Sequence, residues 1–362
     1  MSGKDLKLIG DEIGIAFGRQ KSSDIETDFD QLGQAEGDYY LGLYHLGRSQ
    51  MLSLEDAYQK HGSHHLHWSE LRRLVDAYED YKRVNGKIDF ADMIETFVER
   101  QVPLDIKALF VDEAQDLSTL QWKMVDILRD TPHIQVFTGD DDQAIMGFQG
   151  ADVEAFMAAT KEKEVLSQSY RVPKEPWREA CNIASRIAGR EHKDWMPTSE
   201  DGFVQSHQDI WDVPLEEGNW CIMARTNRIA STYANVLKED GWIYSRFGKP
   251  SIPTKMYEAI LDWERLCKGD ELFISELRNI YLFMDIEKEI TRGFGPKSQK
   301  MREFDEETPI NMETAKKSLG LLANENMRWH QALGKIDDFN RTYILSALKR
   351  GDNVKNPRIT IS

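Results

Sequence analysis
Two apolar runs that end in acids constrain this chain more than any other feature. The first is Ala108-Leu109-Phe110-Val111-Asp112-Glu113-Ala114-Gln115-Asp116. The second follows about one βα step later, as Ile134-Gln135-Val136-Phe137-Thr138-Gly139-Asp140-Asp141-Asp142-Gln143. Each reads as a buried parallel strand whose C-terminal end delivers acidic or amide side chains into a crevice. In open α/β sheets that crevice is where ligands bind. Two carboxylates at the end of one strand suit Mg²⁺ and water handling in nucleotide hydrolysis.

The surrounding pattern agrees with a parallel, doubly wound sheet. The sequence predicts strands at 107–112, 134–138 and 164–168, alternating with helices at 118–129, 152–160 and 174–188. A second βαβ unit follows, with a strand at 220–225, a helix at 227–239 and a strand at 242–246. Residues 1–83 and 253–350 carry helical periodicity, and Arg358-Ile359-Thr360-Ile361-Ser362 reads as one more strand. Asn85-Gly86 marks a turn, and Asp89 is placed to cap the helix beginning Phe90-Ala91-Asp92.

Composition excludes some classes. Apolar content is 40%, charged content 30%, and no apolar stretch approaches the ~20 residues that span a bilayer. The N-terminus has no basic region followed by an apolar one, and Cys181, Cys221 and Cys267 lie too far apart for a disulfide framework or zinc spacing. The expectation is a cytoplasmic protein with no membrane association. A net charge of −16 argues against a general nucleic-acid coat protein, yet it permits a narrow track of basic and aromatic residues.

Each candidate residue carries a functional and a plain structural reading. Asp112 could hold Mg²⁺ while Glu113 polarises an attacking water. Acids also gather at helix N-termini because they suit the macrodipole. The amide of Gln143 can bond a phosphate oxygen and a water together. Met146 and Phe148, between Gly139 and Gly150, could form a platform on which bases stack, or could tuck into the core. Arg171, in Ser169-Tyr170-Arg171, could reach a transferring phosphate or form a surface ion pair. The i, i+3, i+4, i+6 spacing of His61, His64, His65 and His67 does not keep all four on one helical face. A polar loop or helix end is the better account of them than a metal site.

Together these elements resemble the UvrD/Rep/PcrA group of superfamily 1 DNA helicases. Val111 to Asp116 resembles motif II, Gly139 to Ala151 motif III, and Leu166 to Arg171 motif IV. Ile88 to Ile94 resembles the re-entry into the first motor domain, and Cys221 to Gly248 the start of the second. The resemblance implies RecA-like parallel sheets, incomplete P-loop NTPase motor domains, with helical insertion domains. Residues 1–83 correspond to the insertion of the first motor domain and 84–215 to part of that domain. Residues 216–250 begin the second, 251–355 form its insertion, and 356–362 begin a further strand of it.

It further implies ATP and Mg²⁺ as ligands. Asp112 would be the Mg²⁺ residue, Glu113 the catalytic one, and Gln143 and Arg171 the contacts to the γ-phosphate. Phe148, with Met146, would stack on single-stranded DNA. There are departures from the family pattern. Met146 and Phe148 stand where an aromatic and Trp are usual, Gln149 replaces an Arg, and Ser169 and Val172 flank Tyr170-Arg171. No Gly-x-x-x-x-Gly-Lys-Thr loop occurs, and nothing matches motifs V and VI. The expectation is one part of an ATP-dependent, 3′–5′ DNA helicase completed by a second chain that carries the phosphate-binding loop. The alternative is a non-catalytic module that binds single-stranded DNA or a protein partner. A further expectation is exposed sheet edges and apolar surface on the first motor domain.

Overall fold
Apolar residues at helical spacing build the N-terminal part. The computed structural model describes residues 1–18, 35–63, 66–102, 104–130 and 132–362. These fall into two compact units, Met1–His207 and Gln208–Ser362. In the first, α1 (Gly3–Ile13), α2 (Glu36–Ser49), α3 (Leu54–His61) and α4 (Trp68–Asn85) precede α5 (Phe90–Arg100). Leu71, Leu74, Val75 and Tyr78 recur every three or four positions on α4, and all are buried against Leu6, Ile9, Tyr40 and Leu43. Gly86 stops α4 in the left-handed region at φ 60°, where a side chain would be strained.

α5 buries no residue fully and is held by charge instead. Asp89 and Asp92 close a capping box at its start. Arg48 of α2 bonds Asp89, Asp92 and Glu95, while Lys82 of α4 bonds Asp89, Asp92 and Glu79.

Next come β1 (Ala108–Val111), α6 (Thr119–Leu128), β2 (Ile134–Phe137), α7 (Val153–Ala158) and α8 (Lys174–Ala184). β1 and β2 pair in parallel, with Ala108 opposite Ile134 and Val111 opposite Phe137. Leu109, Val111 and Phe137 pack under Trp122, Val125 and Phe156 from α6 and α7. On the opposite face Phe110 is 71% exposed, and Ile134 and Val136 are exposed with it. The strands are therefore covered on one face, not two as their apolar run suggests. Residues of α6 and α7 cover the Leu109, Val111 and Phe137 face, and the alternating pleat turns Phe110 and Val136 away from those helices.

The strand expected at 164–168 does not form. Leu166 is 86% exposed, and this stretch contributes a single bridge, Gln168 with Met196. A β-branched, apolar run becomes a strand only where a neighbour satisfies its backbone row. Here the neighbour is the short segment around Met196, so the first sheet has two strands.

In the second unit, β3 (Trp220–Ile222), α9 (Asn227–Glu239), β4 (Tyr244–Arg246) and β5 (Lys249–Pro250) are followed by a helical body. That body contains α10 (Thr254–Cys267), α11 (Ile274–Leu282) and α12 (Asp338–Arg350), packed around Trp263, Leu277, Ile280, Tyr281 and Ile344. A two-residue ladder, Leu272–Phe273 with Pro309–Ile310, interrupts the helical pattern expected there. The chain then returns as β6 (Ile359–Ile361), which inserts in parallel between β3 and β4. Ile359 and Ile361 fill the core with Leu237, Trp242 and Tyr244.

Candidate nucleotide and nucleic-acid site
The C-terminal ends of β1 and β2 converge on one polar cluster. Thr138 N–H donates to Val111 O at 2.8 Å, and Ala114 N–H donates to Thr138 O at 2.9 Å. This continues the ladder by one residue past the strands and sets Asp112 beside Thr138. The Thr138 hydroxyl donates to Asp112 Oδ1 at 2.5 Å, and that oxygen also accepts the Glu113 N–H at 3.1 Å. Among the described residues no hydrogen bond reaches Asp112 Oδ2. An exposed carboxylate with one fixed and one open oxygen is a hard donor of the kind Mg²⁺ takes, so the residue present fits that ion.

Glu113 sits at φ 49° and ψ 40°, the left-handed region. For a residue with a Cβ this costs about 1 kcal/mol, a cost that clusters at functional sites. The turn lays its carboxylate on Gln115, whose Nε2 donates to Glu113 Oε2 at 2.9 Å. Gln115 is buried, and its Oε1 accepts the Asp140 N–H at 3.1 Å. One buried amide thus bridges the Glu113 turn to the loop after β2. Gly139 is required for that bridge, since a Cβ there would lie 2.4 Å from Gln115 Oε1. Asp116 has a buried Oδ1 with no hydrogen-bond partner among the described residues. Burial, with the Glu113 charge added, pushes its carboxyl up.

Gln143 ends the short 3-10 turn Asp141–Gln143 and donates from Nε2 to Asp140 Oδ2 at 2.7 Å. The acids before it already have cationic partners. Lys193 bonds Asp140 Oδ1 at 2.5 Å, Asp142 at 3.1 Å, and Asp141. Arg190 forms a fork on Asp142, with both bonds at 2.6 Å. Burial pushes Asp140 up, but Lys193 and Gln143 outweigh it, and its carboxyl ends below the ordinary range. Arg190 holds the Asp142 carboxyl low as well. These three acids are therefore not open to a metal ion. A second acidic group, Glu79, Asp89 and Asp92, has oxygens close enough to share an ion, but the Lys82 ammonium lies among them.

Met146 to Gln149 form another 3-10 turn, closed by Gly150 at φ 94°. Ser49 of α2 donates its hydroxyl to Gln149 O at 3.1 Å, which fixes this loop on the helical part of the same unit. Met146 is half-buried, and Phe148 is 38% exposed. Arg171 stands apart from the acids. Its N–H donates to Ser169 Oγ at 3.3 Å, and its guanidinium has no ion pair among the described residues. Tyr170 beside it is 91% exposed.

Asp112, Glu113 and Gln143 are thus joined through Thr138, Gln115 and Asp140, and among the described residues no bond ties Arg171 to them. Thr138, Gln115, Arg190 and Lys193 are the residues that sequence reasoning missed. Three adjacent acids do signal a need for counter-charge, but nothing local says where it comes from. His61 ends α3 on Gln50, and His67 precedes α4; His64 and His65 lie outside the described residues.

Comparison with known proteins adds a family likeness. Residues 33–164 match the UvrD/REP helicase N-terminal domain. The chain is 26% identical over 142 residues to the putative ATP-dependent DNA helicase YjcD of Bacillus subtilis, covering 37% of this chain and 17% of that protein. It is 27% identical over 143 residues to DNA helicase II of Haemophilus influenzae, covering 36% and 20%. It is 27% identical over 186 residues to the ATP-dependent DNA helicase PcrA of Bacillus subtilis, covering 47% and 25%. The chain is UvrD-like over this stretch, and its aligned part spans a quarter or less of these three relatives. No helix among the described residues is long and apolar enough to cross a membrane.

Proposed function
We propose that this chain is one part of an ATP-dependent DNA helicase that translocates on single-stranded DNA in the 3′–5′ direction. In this reading residues 84–215 belong to a first RecA-like motor domain, and 216–250 with 356–362 to a second. Residues 1–83 and 251–355 are their helical insertions. The observation that carries the reading is the buried Gln115 amide, which links the Glu113 carboxylate to the Asp140–Gln143 loop. A base for water and a sensor for the γ-phosphate need to be held in one frame, and this bridge supports that.

Asp112 holds the Mg²⁺ that neutralises phosphate charge. Glu113 orients the attacking water and takes its proton. Gln143 bonds the γ-phosphate and that water, and Arg171 reaches the transferred group. Met146 and Phe148 offer a stacking surface to bases. A chain that carries the Gly-Lys-Thr loop supplies the phosphate cradle missing from these 362 residues.

The test is ATP hydrolysis stimulated by single-stranded DNA, with the chain alone and with a chain carrying that loop, using Glu113→Gln as control. The expected result is no turnover alone and turnover in the pair, lost on substitution. Turnover by the lone chain would overturn the incomplete-site reading. Failure of the pair would favour a second reading, a non-catalytic module that binds single-stranded DNA or a protein partner. The exposed face around Phe110 speaks for that alternative.

A further inference from the structure
The stretch from Arg190 to Thr198 bonds the chain neighbours of both candidate γ-phosphate residues, Asp140–Asp142 before Gln143 at one end and Ser167, Ser169 and Val172 around Arg171 at the other. At its start, Arg190 forks onto Asp142, the Glu191 N–H donates to Asp141 Oδ2 at 2.8 Å, and Lys193 reaches all three acids. Asp140 is shared: Oδ1 takes Lys193, and Oδ2 takes the Gln143 amide. At its end, Met196 O accepts the Ser169 N–H at 2.9 Å, the Met196 N–H donates to Ser167 O at 2.6 Å, and the Thr198 N–H donates to Val172 O at 2.9 Å. Those bonds enclose the turn that presents Arg171.

We infer that residues 190–198 form a strap that sets Gln143 and Arg171 in one register, with Lys193 and Arg190 as positioning residues that act on Gln143 through Asp140. The inference rests on the proposed roles of Gln143 and Arg171, but the strap is a property of this chain alone. Three carboxylates in a row repel one another and would splay the loop. Two cations, each with a side chain less than one-fifth exposed, hold them together at a cost no flexible surface pair would meet. A carboxylate whose first oxygen is fixed by Lys193 has a fixed second oxygen, and the Gln143 amide follows it. The same backbone then carries that position to the Arg171 turn through Met196 and Thr198, within five residues of Lys193. Motion at either residue is thereby felt by the other.

The experiment is NMR on the purified full chain with ¹⁵N-labelled Gln and Arg, comparing wild type, Lys193→Met and Lys193→Arg. The Gln143 side-chain amide and the Arg171 backbone amide are read against Gln59, an exposed residue of α3. The expected result is that Lys193→Met shifts both, with the two Gln143 amide proton resonances moving toward those of exposed Gln59, and that Lys193→Arg restores them. A Gln143 resonance that moves no more than Gln59 would overturn the positioning role. A Gln143 shift without an Arg171 shift would overturn the coupling. Should Lys193→Met not fold, Asp140→Asn keeps the side-chain volume while removing the charge that Lys193 holds. It must shift Gln143 in the same way, and an unchanged Gln143 in that variant refutes the inference. Nothing in this readout depends on ATP turnover, so failure of the helicase reading would be seen separately.

Discussion

Lys82→Met should destabilise the first unit far more than loss of an ordinary lysine. Lys82 is 3% exposed, and its ammonium lies 2.7–2.9 Å from Glu79, Asp89 and Asp92 and 4.9 Å from the Tyr78 ring centroid. Methionine keeps the stem and removes the charge, leaving Asp89 buried with Arg48 as its remaining cation. Breaking a buried pair in this way costs roughly 3–5 kcal/mol. Arg48, the Tyr78 hydroxyl and the Asp92 N–H still hold Asp89, which sets the expectation at the lower end, about 3 kcal/mol. For a unit of this size each kcal/mol moves Tm by about 2–4 °C, so the shift should be roughly 6–12 °C.

The assay is urea unfolding, with hydrogen exchange on α4 to assign the transition to the first unit. Arg83→Met is the control, because Arg83 pairs with Asp80 while 75% exposed. It should change stability by no more than about 0.5 kcal/mol. The pH dependence adds a sign. Burial pushes Asp89 up, but the Asp92 N–H, Arg48 and Lys82 outweigh it and hold its carboxyl well below the ordinary range. A depressed carboxyl contributes stability above its unfolded value and loses it as pH falls through the folded one. The gap between wild type and Lys82→Met should therefore narrow below about pH 4. A destabilisation under about 1 kcal/mol at neutral pH would mean that the cluster acts as a surface pair, and the reasoning would fail.

Two further outcomes follow from the same structure. Burial pushes His45 down to about 4, with Asp89, Arg48, Lys82 and Asp92 acting on it electrostatically. The folded ring stays neutral while the unfolded one protonates near 6.5, so stability is full above that pH and falls toward pH 4. His45→Phe should flatten this slope in acid denaturation series, and an unchanged slope would assign it to other groups. At position 113, Gly should give a more stable chain than Ala by about 1 kcal/mol. Both lose the Gln115 bond, but only Gly accepts φ 49° without strain. Equal thermal melts would show that this turn is not held left-handed.

Much of the local structure was legible in the residues. The runs at 108–111 and 134–137 announced parallel strands because short, mostly apolar stretches led into acids, directly at Asp112 and past Thr138-Gly139 at Asp140. Asp89 announced its cap, and Leu71, Leu74 and Tyr78 announced their helix face, because caps and periodicity act within one or two turns. The Asp112–Glu113 pair could be picked out as acids directly after a strand, and Gln143 as an amide in the loop that follows the next one.

What the sequence could not determine depends on partners distant in the chain. Val165 and Leu166 look like strand residues, yet no neighbour pairs with them beyond the bridge at Gln168. The same apolar chemistry at Ile359 and Ile361 became the central strand of its sheet because β3 and β4 leave a parallel slot between them. Lys193 and Arg190 carry no local mark of their role, which exists only because folding brings them some fifty residues back onto Asp140 and Asp142. Hydrophobic periodicity and capping are short-range, so a single sequence determines them. Strand order, the covered face of a sheet and the choice of counter-ion are settled by long-range pairing, and only the tertiary structure decides those.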